Sequence, residues 1–120
     1  MGAKGNGLQE RHFYRVIIMA QDVLEKTLEN LFKRLLDEKH IFHIKGISRG
    51  VKGFPDRKVF ADNIYYVELK VGKEGGSYYK QTKMQKWWQD KIEKSNGHYV
   101  LLTGEQEIIL FVNQLKPPLR

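Results

Sequence analysis

Cysteine is absent from the 120 residues. That excludes disulfides and thiolate metal sites, and it suits a reducing compartment such as the cytoplasm. Any metal must therefore be held by oxygen or imidazole ligands. No apolar run approaches the roughly 20 residues needed to cross a bilayer. Residues 16–20 are apolar, but the run is too short for a signal peptide and no small-residue cleavage pattern follows it. Histidine is sparse: His12, His40, His43 and His98 have no ligand spacing and are expected to play no metal role. No internal repeat is visible. The length suits one domain, large enough to bury a core without staples.

Positive charge is in excess. Against 14 Asp+Glu stand 21 Lys+Arg, a formal charge of +7. A basic surface attracts polyanions, nucleic acid being the commonest, although a basic domain without such a partner has the same composition. Residues 1–9 are Gly-rich, and residues 1–21 read as a leader. Met19-Ala20-Gln21-Asp22 resembles a natural start, so residues 1–18 are expected to be partly or wholly an added segment. Residues 114–120 form a tail in which Pro117-Pro118 forbids regular structure.

Between these ends the pattern predicts αβββαββ. Asp22 and Glu25 have capping-box spacing, and Leu24, Leu28, Leu31, Phe32 and Leu35 make one helical stripe. Lys39 and His40 suit the end of that helix dipole. Short strands are expected at 41–44, 57–61 and 64–71, the last two joined by a two-residue turn at Asp62-Asn63. A Gly-rich basic loop covers 48–55. A second helix starts near Thr82, whose spacing to Gln85 again suits a capping box. Met84, Trp87, Trp88 and Ile92 supply its apolar side. Two adjacent tryptophans cannot both face one surface, so one faces the sheet and the other is free to anchor an interface. Ser95-Asn96-Gly97 ends the helix at positive φ. Strands at 99–103 and 108–112 complete an α/β fold with a mixed central sheet flanked by helices.

The chemistry-bearing segment is Gly53-Phe54-Pro55-Asp56, followed after eleven residues by Glu68-Leu69-Lys70. Hairpin pairing brings Asp56 opposite the region of Glu68 to Lys70, and these two share one face of their strand. Charges inside an apolar run are costly unless they are paired or bind something. Two close carboxylates suit a hard divalent ion such as Mg²⁺, with the Leu69 carbonyl as a third oxygen. Such an ion polarises a phosphodiester and acidifies a water, and Lys70 is placed to stabilise developing charge. These residues alone equally suit a cross-strand salt bridge without metal.

Together with Thr82-Lys83-Met84-Gln85-Lys86-Trp87-Trp88, these motifs resemble the virus-type replication-repair nuclease (VRR-NUC) family of the PD-(D/E)xK superfamily, over about residues 22–112. The resemblance implies a restriction-endonuclease-like αβββαβ core and a nuclease domain over 22–113. It further implies metal-dependent cleavage of branched or flapped DNA, with Mg²⁺ replaceable by Mn²⁺. Stand-alone phage members of similar size dimerise and cut four-way (Holliday) junctions. Carried over, Asp56 and Glu68 are metal ligands, Lys70 is the catalytic lysine, and Gln85 orients the lysine or the substrate. The first-helix glutamate maps onto Glu25, with Glu29 one turn further along. The family has a glycine after that helix, where this chain has His40. Lys45, Arg49, Lys52, Arg57, Lys58, Lys73, Lys80 and Lys83 are the phosphate-contact candidates, Arg49 and Lys52 foremost. Tyr78 and Tyr79 could stack on an unpaired base. The alternatives are a flap- or end-processing nuclease of the same fold and an inactive nucleic-acid-binding module.

Overall fold

The computed structural model describes residues 24–47, 50, 52–71 and 80–118. The expectations for the leader, the Asp22 cap, Arg49, Lys73, Tyr78 and Tyr79 lie outside these residues. The elements are α1 (24–38), β1 (Phe42–Lys45), β2 (Arg57–Phe60), β3 (Ile64–Lys70), α2 (Lys83–Lys94), β4 (His98–Thr103) and α3 (Glu105–Gln114). The four strands form one mixed sheet in the order β1-β2-β3-β4, so the expected αβββαβ core is present. The first two pairings are antiparallel, and β4 returns through α2 to lie parallel to β3. Among the described residues no helix is long and apolar enough to cross a membrane.

The sheet's two faces follow from its registers. One face carries Val59, Val67, Leu69 and Leu102, which pack against Leu28, Phe32 and Leu36 of α1 and Ile108 and Val112 of α3, with Leu115 beyond it. Spacing of four along α1 puts its three buried residues in one line. Leu24, expected in that line, precedes the first core residue and is exposed. Lys39 docks the two helices: its ammonium donates to the Val112 and Leu115 carbonyls at 2.7 Å and to Asn113 at 3.2 Å. It therefore caps α3 and not, as expected, its own helix.

Two sequence expectations fail here for physical reasons. Residues 108–112 form the middle of α3 and not a strand. A short apolar run does not distinguish the two by itself. The deciding contacts are at its start: Glu107 accepts from the Thr103 backbone at 2.9 Å and from its hydroxyl at 2.8 Å, closing the first turn. The hairpin is the second case. Phe60 pairs with Ile64, leaving a three-residue loop at 61–63, closed by the Ala61 N–H donating to the Asn63 carbonyl at 2.9 Å.

Among the described elements, α2 alone covers the other face. Trp88 turns inward, where its indole meets Phe54 edge-on at 4.7 Å, and Trp87 remains exposed. Met84 is exposed as well, and Gln85 is buried in its place. Asn96, at φ 63°, ends α2 as its sequence suggests.

Candidate active site

Asp56 and Glu68 meet on the face under α2. The β2–β3 register runs Arg57↔Val67, so one step further places Asp56 across from Glu68. Asp56 is fixed at three points. Pro55 before it is fully buried, the Gly46 N–H donates to its carbonyl at 2.8 Å, and its Oδ2 accepts from the Leu69 N–H at 2.7 Å. The loop leading to it lies against the first turn of α2. Gly53 has φ +86°, and a Cβ there would stand 2.8 Å from the Met84 Cβ, so only glycine allows both conformation and approach. The Trp88 indole N–H, donating to the Lys52 carbonyl at 3.0 Å, pins the same loop.

Gln85 serves two functions at once. Its amide oxygen accepts from the Thr82 N–H at 2.8 Å while its own backbone N–H donates to Thr82 Oγ1 at 3.1 Å, the complete capping box. Its amide nitrogen donates to Glu68 Oε2 at 3.1 Å. The helix start therefore orients a carboxylate, where the family resemblance implied contact with the lysine or the substrate.

Glu68 is 4% exposed, and its Oε1 is buried with no hydrogen-bond partner among the described residues. The Asp56 carboxyl is within hydrogen-bonding reach, an acceptor facing an acceptor unless a proton or cation stands between them. Burial, then the Asp56 charge and that contact, push the Glu68 carboxyl up to about 9; Lys70 opposes the rise and Glu25 adds to it. Lys70 is half-buried and forms no ion pair among the described residues.

The two first-helix glutamates separate cleanly. Glu29 pairs with Arg57 at 3.5 Å, on the opposite face of the sheet. Glu25 is exposed, and its charge acts on Glu68. Among the described residues no three acidic or histidine side chains converge as a ready-made metal cage. The donor set is thus two carboxylates, with backbone carbonyls and water left to complete a cation's shell. Hard oxygens and an orphaned buried Oε1 fit Mg²⁺, which keeps several waters.

Lys45, Lys52, Lys80 and Lys83 are exposed, the last two at the end of α2 that holds Gln85. Arg57 is not available to phosphate: it is buried between Glu29 and His43. His43, expected to be incidental, links Arg57 to Asp37. Arginine only donates, so His43 Nδ1 accepts from it at 3.0 Å and Nε2 donates to Asp37 at 2.7 Å. No sequence signal pointed to this cluster. Compared with known proteins, the chain matches no family model and no curated protein.

Proposed function

We propose that this chain is a metal-dependent deoxyribonuclease of the VRR-NUC type that hydrolyses phosphodiesters in branched DNA. The observation that carries the reading is the buried Oε1 of Glu68, without a donor among the described residues, beside the Asp56 carboxylate. A protein gains nothing in stability from like charges held side by side with one of them buried, and such arrangements concentrate at functional sites. Asp56 and Glu68 would hold Mg²⁺, or Mn²⁺ in its place, with the Leu69 carbonyl and, through water, Glu25. The bound ion would polarise the phosphodiester and lower the pKa of a water.

The remaining roles fall to this chain's own groups. Gln85 holds the Glu68 carboxylate in one orientation. The Leu69 N–H does the same for Asp56. Lys70, free of any ion pair among the described residues, stabilises charge developing on the phosphoryl oxygens. Lys45, Lys52, Lys80 and Lys83 supply sequence-independent phosphate contacts, joined by Arg49 and Lys73 on the sequence reading. The cysteine-free composition suits a cytoplasmic enzyme.

A homodimer is part of the proposal, since a four-way junction offers two symmetric cleavage points. The sheet face beside α2 leaves Phe42, Ile44 and Ile64 exposed, a surface a second copy would cover. The test is cleavage of linear duplex, flap and four-way junction DNA with Mg²⁺ or Mn²⁺, against Asp56→Ala. Paired symmetric nicks in the junction, lost in the variant, are expected. Cleavage of flaps or ends alone removes the resolvase assignment. No cleavage of any substrate removes the nuclease, leaving a binding module. Light scattering that gives a monomer at micromolar concentration removes the dimer.

A further inference from the structure

Beside the two carboxylates, on the same sheet face, lies a cleft of about 320 Å³ between α2 and the β2–β3 hairpin. Its walls are Phe54, Tyr66, Trp88 and Ile92, and Lys58 and Lys91 stand at its sides. Tyr66 precedes Glu68 by two residues in β3, so the cleft begins about 7 Å along the strand from the site. Phe54 precedes Asp56 by the same count. The aromatic walls are ordered against one another: Phe54 meets Tyr66 edge-on at 6.0 Å and Trp88 edge-on at 4.7 Å. Among the described residues neither lysine has a carboxylate partner. The Lys58 ammonium lies 5.4 Å from the Tyr66 ring centre and that of Lys91 5.5 Å from the Trp87 ring. The ion pairs among the described residues involve neither.

We propose that this cleft takes one unpaired nucleotide of the DNA substrate, its base against the aromatic walls and its phosphates on Lys58 and Lys91. Aromatic side chains stack on any base, and lysines without anions are complementary to phosphate. The size is near the lower end for pockets that enclose a small ligand, roughly 300 Å³. Placed next to Asp56 and Glu68, a held unpaired nucleotide sets the scissile bond at the edge of a single-stranded stretch. The inference rests on the nuclease reading for its substrate and extends it to a preference for unpaired bases.

The test is binding of the full chain, in EDTA so that cleavage plays no part. Fluorescence anisotropy compares a blunt DNA duplex, the same duplex with a short overhang, and that overhang with abasic positions. Each stacked base contributes about 1–3 kcal/mol, so the base-bearing overhang should bind roughly tenfold or more tightly than the abasic one. Lys91→Glu, on the exposed side of α2, should weaken overhang binding several-fold. Trp87→Phe leaves Trp88 as the only indole, and its emission should be quenched by the base-bearing overhang alone. Equal affinity for base-bearing and abasic overhangs, unchanged affinity in Lys91→Glu, or an unquenched Trp88 overturns the proposal. Base-dependent binding with no cleavage on adding Mg²⁺ overturns the nuclease reading and leaves this one standing. Cleavage indifferent to the unpaired bases does the reverse.

Discussion

Arg57 and Asp56 are neighbours in the chain, yet each anchors a separate cluster of charge, and the two clusters lie on opposite faces of one sheet. Strand alternation sends them apart. On the α1 side, the Arg57 guanidinium stands between Glu29 and His43, with Asp37 beyond. On the α2 side, Asp56 faces Glu68, the charge of Glu25 adds to theirs, and among the described residues the one hydrogen-bond donor to the Glu68 carboxylate is the Gln85 carboxamide. Each cluster keeps one buried atom without a partner among the described residues, Arg57 Nε and Glu68 Oε1. They differ in sign. The first assembles opposite charges and holds α1 to the sheet. The second assembles acidic groups, which in the absence of a cation are reconciled by a proton on Glu68. Burial of charge is shared by fold-holding and functional clusters alike, whereas acidic groups that repel concentrate at functional sites.

The largest expected effect tests the first cluster. Arg57→Met removes the cation and leaves Glu29 and His43 without their donor. Breaking a buried ion pair from one side costs on the order of 3 kcal/mol, the partial exposure of Glu29 keeping it from being higher. Urea denaturation reads it directly. A loss near zero would show that the cluster is not what fastens α1.

Glu68→Gln tests the second cluster and should move stability the other way. The wild-type carboxyl, raised from 4.5 to about 9, carries its proton in the folded state at neutral pH. Because the folded value is the higher one, the associated stability is complete below pH 4.5 and is lost as pH rises towards 9. Without divalent ions the wild type should weaken across that window, and Glu68→Gln should not. At pH 7 the variant should gain on the order of 2 kcal/mol, since a tenfold change in proton affinity is worth about 1.4 kcal/mol and local relaxation returns part of it. Added Mg²⁺ should stabilise the wild type at the alkaline end and leave the variant unchanged. Cleavage should disappear with the stability gain. A variant that stays active, or is less stable at pH 7, would remove the contrast between the clusters.

How far each cluster is visible in the sequence differs for the same reason. The Asp56–Glu68 pair is only partly legible: a strong β pattern at 64–70 and a turn signal at 62–63 bring the two segments together, but a two-residue turn would set Asp56 opposite Leu69, and it is the three-residue loop that sets it opposite Glu68. Gln85 is legible through its three-residue spacing to Thr82, which serves both the cap and Glu68. Nothing local predicts that Arg57 meets Glu29, 28 positions away, or that Lys39 caps α3 across 73. Such contacts exist only once α1 and α3 have docked. The apolar run at 108–112 misleads for a related reason: its helical state depends on Glu107 folding back onto Thr103. The cleft beside the site had partial signals in Phe54 and Tyr66, each two residues before a carboxylate, but only the docking of α2 brings Lys91 to them.

The smallest expected effect sharpens the same comparison. The α1 side carries a local conformational cost as well as its ion pairs. His40 has φ 58°, and around it the Ile41 N–H donates to the Leu36 carbonyl at 2.9 Å and the His40 N–H to the Asp37 carbonyl at 3.0 Å. This is the helix ending in which the left-handed residue is usually glycine. Its side chain is exposed, so it offsets little of the strain. His40→Gly should therefore stabilise the chain by about 1 kcal/mol, relief of left-handed strain exceeding the entropy cost of glycine. Cleavage should be unchanged, because His40 lies on the side whose charges serve the fold. A fall in activity without a fall in stability would mean that the end of α1 sets the position of Glu25. The first helix would then belong to both clusters.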